Sequence, residues 1–100
     1  MKVDINTVSY IKIVTKRWFQ KSYGNTYHSV SVYAASRTGK EYKLELIGSI
    51  PFRYGYGEHY LNTASEILEI SEQELRVMLS EYGSEKFVIV CTDVSRKKDL

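Results

Sequence analysis

The chain has 100 residues, of which 43% are apolar and 26% are charged, with a formal net charge of +2. This composition is typical of one soluble domain, spanning residues 1–100, with a modest core. No apolar run approaches the roughly 20 residues that cross a bilayer, and the first residues lack the apolar stretch of an export signal. The sequence therefore predicts a cytoplasmic protein without a membrane partner.

The charges are unevenly distributed along the chain. Residues 1–57 carry nine basic and three acidic residues, a balance of +6, whereas residues 58–85 carry seven glutamates and one arginine, a balance of −6. Residues 86–100 carry four basic and two acidic residues, a balance of +2. Separate basic and acidic surfaces would attract and repel phosphate, respectively. Ordinary solvated faces explain the same pattern, because glutamate is a good surface residue in helices.

The predicted elements begin with strands. A run of β-branched and aromatic residues without helical spacing predicts a first strand over 7–19. Gly24 and Asn25 suit a turn into a second strand over 26–36. In that strand His28, Val30, Val32 and Ala34 alternate with a tyrosine-serine set, so the first group is expected to face the core and the second solvent. A third, half-buried strand follows over 42–47.

Helices are predicted after an irregular loop over 48–57, which contains the single proline. Apolar residues at helical spacing follow Tyr60, and Ser71 to Glu74 form a capping box for a second helix that Gly83 ends. The apolar run over 87–92 predicts an interior strand covered by helices. The β-β-β-α-α-β order predicts an α+β fold: an antiparallel sheet with two short helices packed on one face and the other face open.

No residue pattern predicts a metal, a cofactor or a catalytic group. The single cysteine, Cys91, lies in the last apolar run and is expected to be a small buried hydrophobe. The two histidines and the scattered carboxylates lack the short spacings of zinc ligands. The glycines near Tyr54 lack the lysine and hydroxyl of a phosphate-binding loop.

Two segments rich in tyrosine and glycine, 23–28 and 52–59, contain both histidines. Aromatic rings, an arginine and flexible backbone are typical of a binding surface, so a predicted working face combines this hairpin with this loop. The candidate nucleic-acid or partner-binding residues are Arg17, Lys21, Tyr23, Asn25, Tyr27, His28, Arg53, Tyr54, Tyr56 and His59.

Nucleic-acid binding is the favoured hypothesis. Arg17, Lys21 and Arg53 would contact phosphates, and rings such as Trp18 and Tyr54 would stack on bases, as in proteins that bind single strands. By strand alternation, either Trp18 or Phe19 should instead face the core. Helix-turn-helix, zinc-finger and RNA-recognition signatures are lacking.

Two alternatives remain open, and under every hypothesis the protein would be a monomer or a homodimer. The acidic helices could occupy the basic channel of a host nucleic-acid or defence complex, as an anti-CRISPR-like inhibitor, with tyrosines as anchors. A small enzyme acting on a phosphodiester or nucleotide could use a general acid and base site formed by His28, His59, Arg53, Tyr27, Tyr54 and Glu58. Against the enzyme, His28 shares its face with valines, which favours a core histidine bonded to a backbone carbonyl.

Three segments carry a resemblance that covers most of the chain. They are Arg17-Trp18-Phe19-Gln20-Lys21-Ser22-Tyr23-Gly24-Asn25-Thr26-Tyr27-His28-Ser29-Val30, Tyr54-Gly55-Tyr56-Gly57-Glu58-His59-Tyr60-Leu61-Asn62-Thr63-Ala64 and Asp93-Val94-Ser95-Arg96-Lys97-Lys98-Asp99-Leu100. The chain resembles a family of small proteins of bacteriophages, prophages and some archaea that carries no assigned activity. The resemblance implies a setting in the host cytoplasm, where such proteins bind nucleic acid, modify host machinery or block defence.

Overall fold

In a computed structural model that describes residues 2–100, three strands precede two helices and a final strand. The elements are the strands Tyr10–Gln20 (β1), Asn25–Thr38 (β2) and Glu41–Tyr54 (β3), the helices Tyr60–Leu68 (α1) and Glu72–Tyr82 (α2), and the strand Phe87–Val94 (β4). Short 3-10 helices span Gly83–Glu85 and Lys97–Asp99. The predicted α+β class and element order are confirmed.

The sheet is mixed, with strand order β3-β2-β1-β4. β1 pairs antiparallel with β2, and β2 pairs antiparallel with β3. The prediction of a fully antiparallel sheet is wrong at β4, which runs parallel to β1. The two helices form a connection long enough to return the chain to the opposite edge in the same direction, which a short hairpin cannot do.

β3 continues through most of the predicted loop over 48–57 and ends only at Tyr54. Its pairing with β2 is irregular between His28 and Val30, where Pro51 lies. A proline is tolerated on an edge strand at a bulge, because its missing N–H removes no ladder hydrogen bond. Pro51 therefore bends the strand rather than ending it.

The helices pack on one face of the sheet, as predicted. We call this the inner face and the opposite side the outer face. α1 lies over β2 and β3, and Gly48 permits its close approach, since a Cβ there would lie 2.7 Å from Ile67 Cγ2. The resulting core contains apolar side chains from β1, β2, both helices and the start of β4: Ile11, Ile13, Val30, Val32, Leu61, Ala64, Leu68, Leu75 and Phe87.

The ends of α2 follow the predicted signals. The Ser71 hydroxyl accepts a hydrogen bond from the Glu74 backbone N–H at 3.1 Å, which satisfies a free donor of the first turn. Gly83 ends the helix with a φ of 53°, a conformation that favours glycine. Across residues 2–100, neither helix has the length and apolar character needed to cross a membrane.

β4 is an edge strand, contrary to the prediction of an interior strand. Phe87 is buried, but Val88, Ile89 and Val90 are each 38–40% exposed. Cys91 is also exposed, so its expected burial is wrong. The cause is the position of the helices, because α1 covers β2 and β3 and leaves most of β4 uncovered.

Candidate functional site

The sheet divides the predicted binding residues between different surfaces. Alternation along β1, β2 and β3 places Arg17, His28 and Arg53 on the inner face, and Tyr27 and Tyr54 on the outer face. The remaining predicted residues lie at one end of the sheet: Lys21 and Tyr23 in the β1–β2 turn, Asn25 at the first position of β2, and Tyr56 and His59 in the β3–α1 connection. The structure therefore does not bring all of them onto one surface.

His28 is 1% exposed and belongs to the core. Its Nδ1 lies 3.2 Å from the Gly55 carbonyl oxygen and its Nε2 lies 2.7 Å from Thr63 Oγ1. Because a carbonyl only accepts, Nδ1–H donates to Gly55 and Nε2 accepts from the Thr63 hydroxyl in neutral His28. Burial lowers the pKa of His28, which favours this neutral form. The expectation of a core histidine is met, and His28 is too buried for the predicted ligand contact.

The hydrogen bond from His28 anchors the β3–α1 connection. Gly55 follows the end of β3, and its N–H donates to the Thr26 carbonyl at 3.0 Å. The exposed His59 ring covers Gly55 so closely that a Cβ there would lie 2.5 Å from His59 Cδ2. Gly55 thus lies between His28 and His59. Its neighbours in the chain, Tyr54 and Tyr56, are therefore attached to a fixed point of the backbone.

Both arginines of the predicted binding set form ion pairs on the inner side of the sheet. Arg17 Nε donates to Asp93 Oδ1 at 2.9 Å, and its Nη1 donates to the Gly57 carbonyl at 3.2 Å. Arg53 forms an ion pair with Glu66 of α1. These contacts tie β1 to β4 and β3 to α1, so both arginines position structural elements, in contrast to their predicted role as phosphate contacts.

The outer face carries an aromatic cluster at the same end of the sheet. Tyr27 stacks with Phe52 at a centroid distance of 4.7 Å and with Trp18 at 5.8 Å, and Tyr54 meets Tyr27 edge-on at 5.6 Å. Lys97 Nζ lies 4.9 Å from the Phe52 centroid. These arrangements are typical cation–π and aromatic geometries. We call Trp18, Tyr27, Phe52 and Tyr54 the aromatic cluster.

Tyr54 of the cluster and several further rings at this end of the sheet are exposed to solvent. Tyr54 is 55% exposed, Tyr23 is 76% exposed and Tyr56 is 73% exposed. Trp18 is half-buried on the outer face, and Phe19 lies on the inner face, as alternation predicts, but beyond the core, where it is 54% exposed. This end of the molecule therefore offers several rings as contact surface.

The charges on the two faces differ in sign. Lys12 and Lys16 lie on the outer face of β1, because they alternate with the buried Ile11, Ile13 and Thr15. On the strands within residues 2–100, the register assigns no carboxylate to the outer face, since Glu41, Glu45 and Asp93 occupy inner-face positions. The seven glutamates over 58–85 belong to the helical side. The outer face is therefore basic and aromatic.

The outer-face residues that were not among the predicted binding residues include Lys12, Lys16, Phe52 and Lys97. Alternation from the core-facing Ile11 and Ile13 would have placed Lys16 on the outer face. Phe52 and Lys97 had no such signal, since Phe52 was assigned to a loop and Lys97 reaches the cluster from the opposite end of the chain. The positions of Phe52 within the aromatic cluster and of Lys97 beside it are therefore set by contacts between distant parts of the chain.

A shallow cavity of about 510 Å³ lies where the end of β3 meets the helices. It is lined by Tyr54, Tyr56, His59 and the ion-paired residues Glu58, Glu72 and Arg76. Its lining does not include His28, which is buried in the core, or Arg53, which is paired with Glu66. Among residues 2–100, no three metal-ligating side chains of the His, Cys, Asp and Glu types cluster.

Comparisons with known proteins assign no family to this chain. The chain matches no protein-family model, no curated protein and no solved structure.

Proposed function

We propose that the protein binds single-stranded nucleic acid across the outer face of its sheet, at the end that carries the aromatic cluster. The observation that carries the proposal is the separation of charge. Lys12, Lys16 and Lys97 accompany exposed rings on one side, whereas the glutamates lie with the helices on the other. A nucleic-acid strand lying across β1 and β2 on the outer face would meet cations and rings, and the register of the sheet places no carboxylate of a strand within residues 2–100 on that face.

The rings suit a flexible single strand better than a duplex. Unpaired bases expose their faces and can stack on aromatic side chains, whereas the bases of a duplex stack on one another. Tyr54 projects beside the Trp18–Tyr27–Phe52 stack and is more than half exposed, so it can accept a base without unfolding the cluster. Tyr23 and Tyr56 extend this surface around the end of the sheet.

The protein-inhibitor alternative receives weaker support from the charge arrangement. Three of the seven glutamates, Glu58, Glu66 and Glu72, form ion pairs with Arg53 or Arg76. These pairs interrupt the acidic surface that a basic channel would recognise. The resemblance to phage and prophage proteins fits a nucleic-acid ligand in the host cytoplasm equally well, so it does not alter this preference.

The test is fluorescence anisotropy with labelled single-stranded RNA and DNA of about 12 nucleotides, within the range of known site sizes, and with a duplex of equal length. Titrations at roughly 50 and 200 mM salt measure the electrostatic contribution. Tyr54→Ala should weaken single-strand binding by roughly 5- to 150-fold, corresponding to about 1–3 kcal/mol for a stacked base.

Two lysines provide a matched comparison. Lys16→Gln removes a charge from the outer face, whereas Lys43→Gln removes the same charge from an exposed inner-face position on β3. Only the first substitution should reduce the salt dependence of binding, by about one phosphate contact. Equal losses from both variants, or no binding of any probe at low salt, would reject the proposal and direct the search to a protein partner.

A further inference from the structure

The two edges of the sheet have opposite character. β3 carries charged side chains toward both of its ends, contains Pro51, and pairs irregularly with β2 at two places: the charged residues are Glu41, Lys43, Glu45 and Arg53. Charges, proline and bulges are the devices that protect an edge strand from pairing with another chain. β4 has none of them over 87–92, where every residue is uncharged and the register with β1 is continuous.

β4 also exposes apolar side chains on both faces. Val88 and Val90 lie on the outer face, beside Lys12 and Val14 of β1, whereas Ile89 lies on the inner face beside Ile13. All three β4 residues are 38–40% exposed. β4 is hydrogen-bonded to β1 on one side only, and α1 lies over β2 and β3, away from this edge.

We propose that β4 pairs antiparallel with β4 of a second copy of this chain, about a two-fold axis at Val90. The charges that flank the strand favour a second copy as the occupant. Residues 81–86, before β4, carry two glutamates and one lysine, a balance of −1, whereas residues 95–99, after it, carry three basic residues and one aspartate, a balance of +2. Antiparallel pairing places the start of one β4 beside the end of the other, so these opposite charges come together.

The length of β4 and its single charge, Asp93, select the register. An axis at Val90 places Val88 opposite Thr92 of the second copy and Ile89 opposite its Cys91, so the five central pairs are uncharged. Moving the axis to Ile89 pairs only residues 87–91 of each β4, and moving it to Cys91 places Asp93 opposite the apolar Ile89. The Val90 register pairs seven residues of each strand and leaves Asp93 in the outermost pair, opposite Phe87.

The dimer is an eight-stranded sheet with continuous faces. Paired residues in this register lie on the same side of the sheet, so the two-fold axis is perpendicular to it. The two outer faces then form one surface, which carries two aromatic clusters. The pairing itself rests on β4 alone and does not depend on what the outer face binds.

Sedimentation velocity of the full chain tests the pairing. The native chain should sediment as a dimer, and Val90→Lys should raise the dimer dissociation constant roughly tenfold or more, because two lysines then face each other on the axis. Leu46→Lys is the matched control, since Leu46 is an exposed apolar residue on the β3 edge strand. Circular dichroism verifies that both variants are folded.

A cysteine pair tests the register independently of Val90→Lys. Ile89→Cys places a second thiol opposite Cys91 of the other copy, with Cα atoms about 5 Å apart, within disulfide reach. In the native dimer the two Cys91 Cα atoms would lie about 8 Å apart, beyond that reach. Oxidation with diamide should therefore link the Ile89→Cys chains into covalent dimers and leave the native chain unlinked. A monomeric native chain, equal effects of both lysine variants, or failure of this cross-link would overturn the proposal.

Discussion

Thr63→Val removes the hydroxyl that donates to His28 Nε2 at 2.7 Å, while almost preserving side-chain shape. Thr63 is fully buried and His28 is 1% exposed, so water cannot replace the lost partner. A buried acceptor left without a donor costs about 1–3 kcal/mol of the free energy of unfolding. For a domain of this size, that loss corresponds to a decrease in Tm of roughly 5–20 °C.

The assay is urea unfolding at neutral pH, followed by the fluorescence of Trp18, the single tryptophan. Thr7→Val is the control, because the Thr7 hydroxyl donates to the Asp4 carbonyl at an exposed position where water can substitute. The control should cost less than about 0.5 kcal/mol. If Thr63→Val costs no more than Thr7→Val, the proposed anchoring of the β3–α1 connection by His28 is wrong.

Two further predictions concern the inner face. Burial lowers the pKa of His28 below its unfolded value of about 6.5, so its contribution to stability is fully present above that pH and decreases as pH falls toward the folded-state pKa. The free energy of unfolding, measured by urea titration between roughly pH 7.5 and 5.5, should therefore decrease more for the native chain than for His28→Gln; parallel curves would contradict this. Gly48→Ala should cost about 1–3 kcal/mol by overpacking against Ile67 Cγ2, and less in an Ile67→Ala background, which a double-mutant cycle measures. An equal cost in both backgrounds would show that the contact is not responsible.

These experiments separate folding from binding. Thr63, His28 and Gly48 contribute to the inner face, and their variants should alter stability. Lys16 and Tyr54 are exposed on the outer face, and their variants should alter ligand affinity with little loss of stability. Because the sheet lies between the two groups, a variant that changes both properties equally would indicate an indirect effect through the fold.

Local patterns were sufficient for several features of this protein. Alternation along β2 correctly placed His28 in the core with Val30 and Val32, because side chains of a strand point to opposite faces. The capping residue Ser71 and the terminating Gly83 marked the ends of α2, since free backbone groups and a positive φ have specific residue preferences. Element order and fold class followed from these short-range rules.

Other features depended on contacts between distant parts of the chain. The pairing of Arg17 with Asp93 and of Arg53 with Glu66 moved both arginines from a predicted ligand surface to the inner side. The exposure of Cys91 followed from the position of α1, which leaves β4 at an edge. Periodicity in sequence specifies which side chains share a face of an element, but the partner of that face is decided only when the elements pack. For this reason the sequence by itself determined the order of the elements, the buried side of β2 and the ends of α2, whereas the full length of β3, the exposure of β4, the strand order, the mixed sheet and the basic, aromatic outer face were decided by the tertiary structure.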